Sequence, residues 1–114
     1  MARGTRIARG CRAGLAAFAF ASTPVAQAAD AGVQTHTIVI EAMRFNPETL
    51  TLRRGDRVVW HNKDLVPHTA TARGVFDSRS IAAQGSWTYV TRKAGTLAYV
   101  CSFHPTMKGT LSVR

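Results

Sequence analysis

Four side chains that can bind a metal ion constrain how this chain folds, because they come from two distant segments. Cys101, His104 and Met107 follow one another at three-residue intervals near the C-terminus, and His68 follows the segment 62–67. A fold that uses all four must bring the ends of two loops to one pole of a domain. One thiolate, two imidazoles and one thioether are the donors of a mononuclear copper electron-transfer site, in which methionine is a weak axial ligand. We therefore predict one copper ion per chain, cycling between Cu(I) and Cu(II).

Each of these donors, taken alone, has an ordinary structural explanation. Cys101 could be a buried inert thiol or an intermolecular half-cystine, Met107 a filler of the core, and His104 a loop residue without a special role. Zinc is the competing metal, but zinc sites rarely use a thioether and would not need Met107. The four donors together favour copper.

The first 28 residues have the order of a secretory signal peptide. A basic start is followed by an apolar run from residue 13 to about residue 25 and then by Ala26-Gln27-Ala28; the basic residues are Arg3, Arg6, Arg9 and Arg12. We expect cleavage after Ala28, which leaves residues 29–114 as a single domain in the periplasm. The apolar run is shorter than the roughly 20 residues that a spanning helix needs, so we expect no membrane span.

Cysteine content and charge follow from this cleavage. Cys11 lies in the basic part of the signal segment and is removed with it, so Cys101 is expected to be a lone thiol that cannot form an internal disulfide. Loss of the four arginines reduces the formal net charge from +9 to +5. A moderate positive charge is compatible with an acidic partner protein. We expect a monomer with no nucleic-acid partner.

From residue 35 onward, short segments with period-two alternation are separated by Gly, Pro, Asn and Asp, which predicts an all-β, Greek-key β-sandwich of about seven to eight strands. The predicted strands are His36 to Glu41, Thr49 to Arg53, Asp56 to Asn62, His68 to Ala72, Gly85 to Val90, Thr96 to Cys101 and Gly109 to Arg114. The predicted inward positions are Ile38, Ile40, Leu50, Leu52, Val58, Trp60, Trp87, Tyr89, Leu97, Tyr99, Leu111 and Val113. Cys101 is in phase with Leu97 and Tyr99, so we expect its sulfur to point into the domain.

The direction of the chain predicts the topology. The segment 53–56, Arg-Arg-Gly-Asp, is typical of a tight turn, and it lies at the pole opposite to the 62–67 loop. The strand that begins at His68 leaves the metal-binding pole, whereas the strand that ends at Cys101 approaches it, so residues 73–84 must cross back. A segment of that length can span about 40 Å, and such a crossover makes a Greek key rather than a meander.

Four histidines compete for two ligand positions. His36 lies in the first strand, and His61 is out of phase with the inward-facing Trp60, so both are predicted to face solvent. His68, which follows a loop and a proline, is the predicted ligand. His61 remains the alternative because phase is an imperfect guide over short strands.

The chain resembles the cupredoxins, and among them most closely the amicyanins and plastocyanins. The matching stretches are Phe45 to Leu50, Gly55 to Asn62, Pro67-His68 and Tyr99 to Gly109, so the resemblance covers nearly all of residues 36–114. The two-residue gap between His104 and Met107 is the short-loop form seen in amicyanins. Many relatives carry Asn directly after the first histidine ligand, where it ties the two ligand loops together, whereas this chain has Thr69. A threonine hydroxyl can also bond across the loops, so copper binding should survive, but the reduction potential no longer follows from the resemblance.

The resemblance implies that His104 presents its ring edge at the protein surface as the route of the electron, surrounded by an apolar patch. The candidate residues of that patch are Val66, Pro67, Phe103 and Pro105. Thr69 and Asn62 are expected to support the ligand loops, and Lys63 and Lys108 to attract an acidic partner. The partners implied are redox proteins, such as a dehydrogenase or a c-type cytochrome.

Three classes of function compete. The leading prediction is a periplasmic one-electron carrier with a type 1 (blue) copper site. The alternative is a periplasmic copper carrier or storage protein that uses the same ligands to hold Cu(I) and hand it on. A copper enzyme is disfavoured, because four protein donors leave no open position for a substrate and the sequence shows no separate cluster of acid, base or nucleophile.

Overall fold

The computed structural model describes residues 4, 10–11, 13–24 and 32–114. The expected cleavage site at Ala28 and most of the basic start lie outside these residues. Within the described ranges the chain forms nine strands and no helix: β1 (Thr35–Glu41), β2 (Arg44–Asn46), β3 (Thr49–Leu52), β4 (Arg57–Asn62), β5 (Thr71–Ala72), β6 (Phe76–Asp77), β7 (Ser86–Val90), β8 (Gly95–Val100) and β9 (Lys108–Val113). None of the described segments is a helix of the length and apolarity that crossing a membrane requires.

The strands form two mixed sheets that pack into a β-sandwich. The four-stranded sheet has the order β2-β1-β4-β7, and the five-stranded sheet has the order β3-β9-β8-β5-β6. Each sheet contains one parallel pair, β1 with β4 and β3 with β9, while the remaining pairs are antiparallel. The predicted sandwich is therefore confirmed, with more strands than expected. Alternation missed β2 and β6, because strands of three and two residues are too short to show a period.

The space between the sheets is filled by the predicted inward-facing side chains, since alternate residues of each strand face the opposite sheet. Those fully or almost fully buried are Ile38, Ile40, Leu52, Val58, Trp60, Leu97, Tyr99, Leu111 and Val113. Leu50, Trp87 and Tyr89 are only half-buried, although they pack against this core. Trp87 and Tyr89 belong to β7, an edge strand of the first sheet, where one flank lacks a neighbouring strand.

The pole opposite to the metal donors is closed by the predicted turn at residues 53–56. Gly55 has a φ of 97°, a left-handed conformation that side chains disfavour, and the Asp56 N–H donates to the Arg53 carbonyl at 3.0 Å. His36 Nε2 lies 3.0 Å from Asp56 Oδ2. The prediction that His36 faces solvent was therefore wrong: its side chain is partly buried against a carboxylate that also accepts the Gln34 N–H at 3.0 Å.

The predicted strand from His68 to Ala72 is correct only for its last two residues, β5. His68 forms an isolated bridge with Ile81, in which each N–H donates to the other residue's carbonyl. The next two N–H groups bond to side chains instead of a neighbouring strand: Thr69 donates to Cys101 Sγ at 3.3 Å, and Ala70 donates to Ser78 Oγ at 2.8 Å. The crossover agrees with the prediction, because its β6 pairs antiparallel with β5 and its Ile81 reaches the level of His68.

Candidate metal centre

Three of the four predicted donors meet at one pole of the sandwich. His68 Nδ1 and His104 Nδ1 each lie 3.7 Å from Cys101 Sγ, and the two nitrogens lie 3.2 Å apart. Metal–imidazole and metal–thiolate bonds in proteins are about 2.0 and 2.3 Å long. An ion about 2.0 Å from both nitrogens, in the plane of the three atoms, would lie about 2.1 Å from the sulfur. The triangle therefore fits a metal ion in a nearly trigonal arrangement.

Two loops carry these donors. Cys101 follows the end of β8, and the chain returns to β9 through His104 and Met107. Backbone hydrogen bonds close this loop: the Cys101 N–H donates to the Met107 carbonyl at 3.1 Å, and the Met107 N–H donates to the His104 carbonyl at 2.9 Å. Met107 is 4% exposed and so lies beneath the loop beside the core. A soft thioether is thus available close to the three clustered donors.

The donors differ in their access to solvent. His68 and Cys101 are 0% exposed, whereas His104 is partly exposed. Full burial protects the sulfur and the His68 imidazole from competing water, and the partly exposed imidazole gives the cluster one face toward solvent. His61, the alternative ligand, lies away from the cluster and bonds through Nδ1 to Ser86 Oγ at 2.9 Å.

Asp64, which the sequence analysis did not identify, orients His68. His68 Nε2 lies 2.8 Å from Asp64 Oδ2. An ionised carboxylate only accepts hydrogen bonds, so the imidazole proton must be on Nε2 and the lone pair on Nδ1, which faces Cys101. Such a carboxylate behind a histidine is a common support of metal ligands. The available signal was an acidic residue four positions before the predicted ligand in the same loop.

The same carboxylate holds the turn between β1 and β2. Asp64 accepts the Ala42 N–H at 2.8 Å and the Met43 N–H at 3.0 Å. Ala42 and Met43 have φ values of 52° and 61°, in the left-handed region that non-glycine residues rarely adopt. Burial raises the pKa of Asp64, but the hydrogen bonds from Met43, His68 and Ala42 outweigh it, so this pKa lies below its ordinary value.

Asn62 is hydrogen-bonded to the loop that leads to His68. The side chain is fully buried. Its Nδ2 donates to the Val66 carbonyl at 2.9 Å and to the Ile81 carbonyl at 3.0 Å, while its Oδ1 accepts the Asp64 N–H at 3.0 Å. One amide therefore fixes both ends of the loop that carries Asp64.

Thr69 connects the two donor loops. Its backbone N–H donates to Cys101 Sγ at 3.3 Å, and its Oγ1 accepts the Ser102 N–H at 2.7 Å. The hydroxyl thus forms a hydrogen bond between the two loops.

Both donor loops carry exposed apolar side chains. Leu65 is 91%, Phe103 52% and Val66 43% exposed, and Pro67 and Pro105 are also exposed. Val66, Pro67, Phe103 and Pro105 are the residues predicted for an apolar patch, whereas Leu65 lies in a loop without a periodic pattern that could have indicated it. Large exposed apolar side chains on these loops are candidates for an interaction surface.

Comparison with known proteins agrees with this geometry. The family model described as Cupredoxin-like domain matches residues 12–113 of this chain. The chain belongs to the cupredoxin-like family. Curated relatives of this cupredoxin include amicyanin of Paracoccus versutus, 29% identical over 96 residues that cover 79% of this chain and 72% of that protein. Amicyanin-alpha of Methylorubrum extorquens is 30% identical over 104 residues, covering 86% of each protein.

Solved structures with the same fold include amicyanins. The crystal structure of amicyanin from Paracoccus versutus has a TM-score of 0.65 at 26% identity, covering 70% of this cupredoxin and 81% of that chain. A Cu(I) form of an amicyanin variant gives a TM-score of 0.66 at 26% identity, over 70% and 82% of the two chains. A copper-containing nitrite reductase from Thermus scotoductus shares the fold alone, at 24% identity over 22% of its length. Relatives in this family bind one copper ion, and the cluster of His68, Cys101 and His104, with Met107 nearby, is the matching site.

Proposed function

We propose that this cupredoxin is a periplasmic one-electron carrier with a type 1 copper site. The proposed ligands are His68, Cys101 and His104, with Met107 as the weak axial donor. The observation that carries the proposal is the triangle of two imidazole nitrogens and one thiolate sulfur, of which His104 alone is partly exposed. Residues 1–28 are proposed to direct export and to be removed.

Copper supplies reversible one-electron chemistry at such a site, because Cu(I) favours soft sulfur donors and Cu(II) suits imidazole. The task of the protein is to keep the donors in one arrangement in both oxidation states, so that little atomic movement accompanies the electron. Several contacts serve this task here. Asp64 fixes the ring of His68, Asn62 fixes the loop behind it, and Thr69 ties that loop to Cys101.

The electron is proposed to pass through His104. Its Nδ1 faces Cys101, so the opposite edge of the ring points away from the cluster, and the residue is partly exposed among apolar side chains. A partner that packs against Leu65, Val66 and Phe103 would bring its own redox centre close to this edge. Small apolar contacts of this kind suit complexes that form and separate quickly.

The proposed partner is another redox protein, a dehydrogenase or a c-type cytochrome, with acidic groups around its contact surface. Lys63 and Lys108 are both exposed and lie on the two donor loops or directly beside them. Positive charges at the rim of an apolar patch accelerate encounter with an acidic partner more than they strengthen the complex. The association rate should therefore fall as the salt concentration rises.

Titration of the purified domain, residues 29–114, with Cu(II) tests the proposal. Visible absorption and electron paramagnetic resonance are recorded before and after a mild reductant. We expect an intense blue colour at one copper per chain that is bleached by reduction and restored by reoxidation. Colourless binding, or loss of copper in each cycle, would favour the alternative of a copper carrier or storage protein.

A further inference from the structure

A chain of hydroxyl groups extends from the Cys101 loop to an acidic side chain on β6. The Ser102 N–H donates to Thr69 Oγ1 at 2.7 Å, and Thr69 Oγ1 lies 3.0 Å from Thr71 Oγ1. Thr71 Oγ1 in turn donates to Asp77 Oδ1 at 3.3 Å. Asp77 is on the strand that pairs with β5, and its Oδ1 is held by the Arg79 N–H at 2.8 Å.

The direction of every bond in this chain is fixed by its two ends. A backbone N–H can only donate, and an ionised carboxylate can only accept. Because Thr71 gives its proton to Asp77, Thr69 must give its own proton to Thr71. The Thr69 oxygen is then left with its lone pairs facing the Ser102 N–H.

The Thr71 hydroxyl uses its full hydrogen-bonding capacity. A hydroxyl has one proton to donate and two lone pairs that accept. Thr71 donates to Asp77 and accepts from Thr69, and its second lone pair accepts the Ser102 Oγ–H at 3.1 Å. Hydrogen bonds linked in one direction reinforce one another. Asp77, the last acceptor, therefore contributes to the strength of the bond from the Ser102 N–H to Thr69 Oγ1.

We propose that Thr71 and Asp77 are positioning residues for the metal site, acting through Thr69. They orient the Thr69 hydroxyl as an acceptor for the Ser102 N–H, which keeps the peptide after Cys101 against the loop of His68. In this position the Thr69 N–H stays on Cys101 Sγ. The proposal rests on the proposed copper function, because its consequence for the metal depends on Cys101 being a ligand.

The consequence is an effect on the reduction potential. A hydrogen bond to a ligand sulfur withdraws electron density from it and so favours the reduced metal; hydrogen bonding around the cysteine is a recognised determinant of potential in blue-copper sites. If the bond from Thr69 to Cys101 lengthens, Cu(II) becomes relatively more stable. Removal of the Thr71 hydroxyl should therefore lower the potential.

The test compares Thr71→Val, which keeps the shape of the side chain, with Thr71→Ser, which keeps the hydroxyl. Thr88→Val is the matched control, since Thr88 is an exposed residue of β7 in the other sheet. Asp77→Ala removes the terminal acceptor, and Asp77→Asn removes only the charge while keeping an acceptor oxygen. The difference between the two Asp77 variants therefore isolates the hydrogen bond from the charge.

Two quantities are measured. Hydrogen exchange of the Ser102 amide is followed by nuclear magnetic resonance in the copper-free domain, and the reduction potential by voltammetry of the copper protein. For Thr71→Val we expect about fivefold faster exchange, the equivalent of one ordinary hydrogen bond. We also expect the Cu(I):Cu(II) ratio at a fixed applied potential to shift about fivefold toward Cu(II). At 59 mV per tenfold change, this shift corresponds to a reduction potential about 40 mV lower.

Thr71→Ser and Thr88→Val should leave both quantities unchanged, and Asp77→Ala should move both further than Asp77→Asn does. Unchanged Ser102 exchange in Thr71→Val and Asp77→Ala would overturn the proposal, whether or not the domain binds copper. Altered exchange with an unchanged potential would overturn the link to the metal. If the wild-type domain failed to form a blue site while Ser102 exchange changed as expected, the proposed function would be wrong and the hydrogen-bond chain would stand.

Discussion

Replacement of Asp64 by alanine should destabilise the domain and loosen the metal site together, because one carboxylate serves both. The buried N–H of His68 would lose a charged acceptor, which costs about 1.5–3 kcal/mol. The Ala42 and Met43 N–H groups lie in an exposed turn where water can replace the carboxylate, so each adds about 0.5–1 kcal/mol. The expected loss is about 2.5–5 kcal/mol, a large share of the 5–15 kcal/mol that typically stabilises a folded domain.

Urea unfolding of the copper-free domain measures this loss without a contribution from bound metal. Asp64→Asn should cost less, because an amide oxygen can still accept the two backbone N–H groups. Glu41→Ala, at an exposed position of β1, controls for removal of one negative charge near the same turn. A free energy of unfolding for Asp64→Ala within about 0.5 kcal/mol of that for the Glu41→Ala control would refute the reasoning.

The copper form gives a second test of the same substitution. Loss of a carboxylate behind a histidine ligand typically weakens metal binding about 10- to 100-fold. We expect a weaker Cu(II) affinity and an altered paramagnetic spectrum in Asp64→Ala, with both properties unchanged in Glu41→Ala. An unaltered affinity would mean that packing alone orients His68.

Three further predictions concern individual side chains. Cys101→Ala should abolish the blue colour, which visible absorption measures, and a normal colour would contradict the ligand assignment. Met107→Gln should keep copper but lower the reduction potential, which voltammetry measures. His68→Ala should disrupt copper binding whereas His61→Ala should not, and the reverse result would transfer the ligand role to His61. The pKa of Asp56 is lowered from 3.8 to about 2, first by the His36 hydrogen bond and then by the backbone N–H donors. The ionised Asp56 therefore stabilises the domain above about pH 4, and this contribution is lost as the pH falls toward about 2. Asp56→Asn should be less stable than wild type at neutral pH. The difference between the two free energies of unfolding, measured with urea, should shrink as the pH falls through this interval.

The donor set and the main strands were predictable because each depends on a strong local pattern. Alternation placed Tyr99 and Trp60 in the core, and the phase of β8 placed Cys101 beneath the surface, where it is 0% exposed. The direction of the strands was enough to predict the crossover through residues 73–84. These inferences use periodicity, chain length and the chemistry of the donor side chains, which the sequence contains directly.

The polar contacts were not predictable in the same way. Asp64 acts on the β1–β2 turn across a sequence separation of 21 to 22 residues, and no local rule relates those positions. Thr71 lies in a predicted strand and Asp77 in the predicted crossover, and neither position carries a local signal of contact with the Cys101 loop. His36 was misjudged because its partner, Asp56, is adjacent only through the parallel pairing of β1 with β4. Contacts of this kind depend on register between strands, which alternation does not specify.

The separation of the donors along the chain bears on when copper can enter. His68 and Cys101 are 33 residues apart, and the strands that carry their loops are joined through long-range pairings, which form late and slowly in folding. The complete donor set therefore comes together only once β5 and β8 lie side by side in the five-stranded sheet. In the folded domain His68 and Cys101 are fully buried, so the partly exposed ring of His104 is the side from which an ion can arrive. The imidazole proposed to pass electrons would then also be the last ligand to close over the incoming ion.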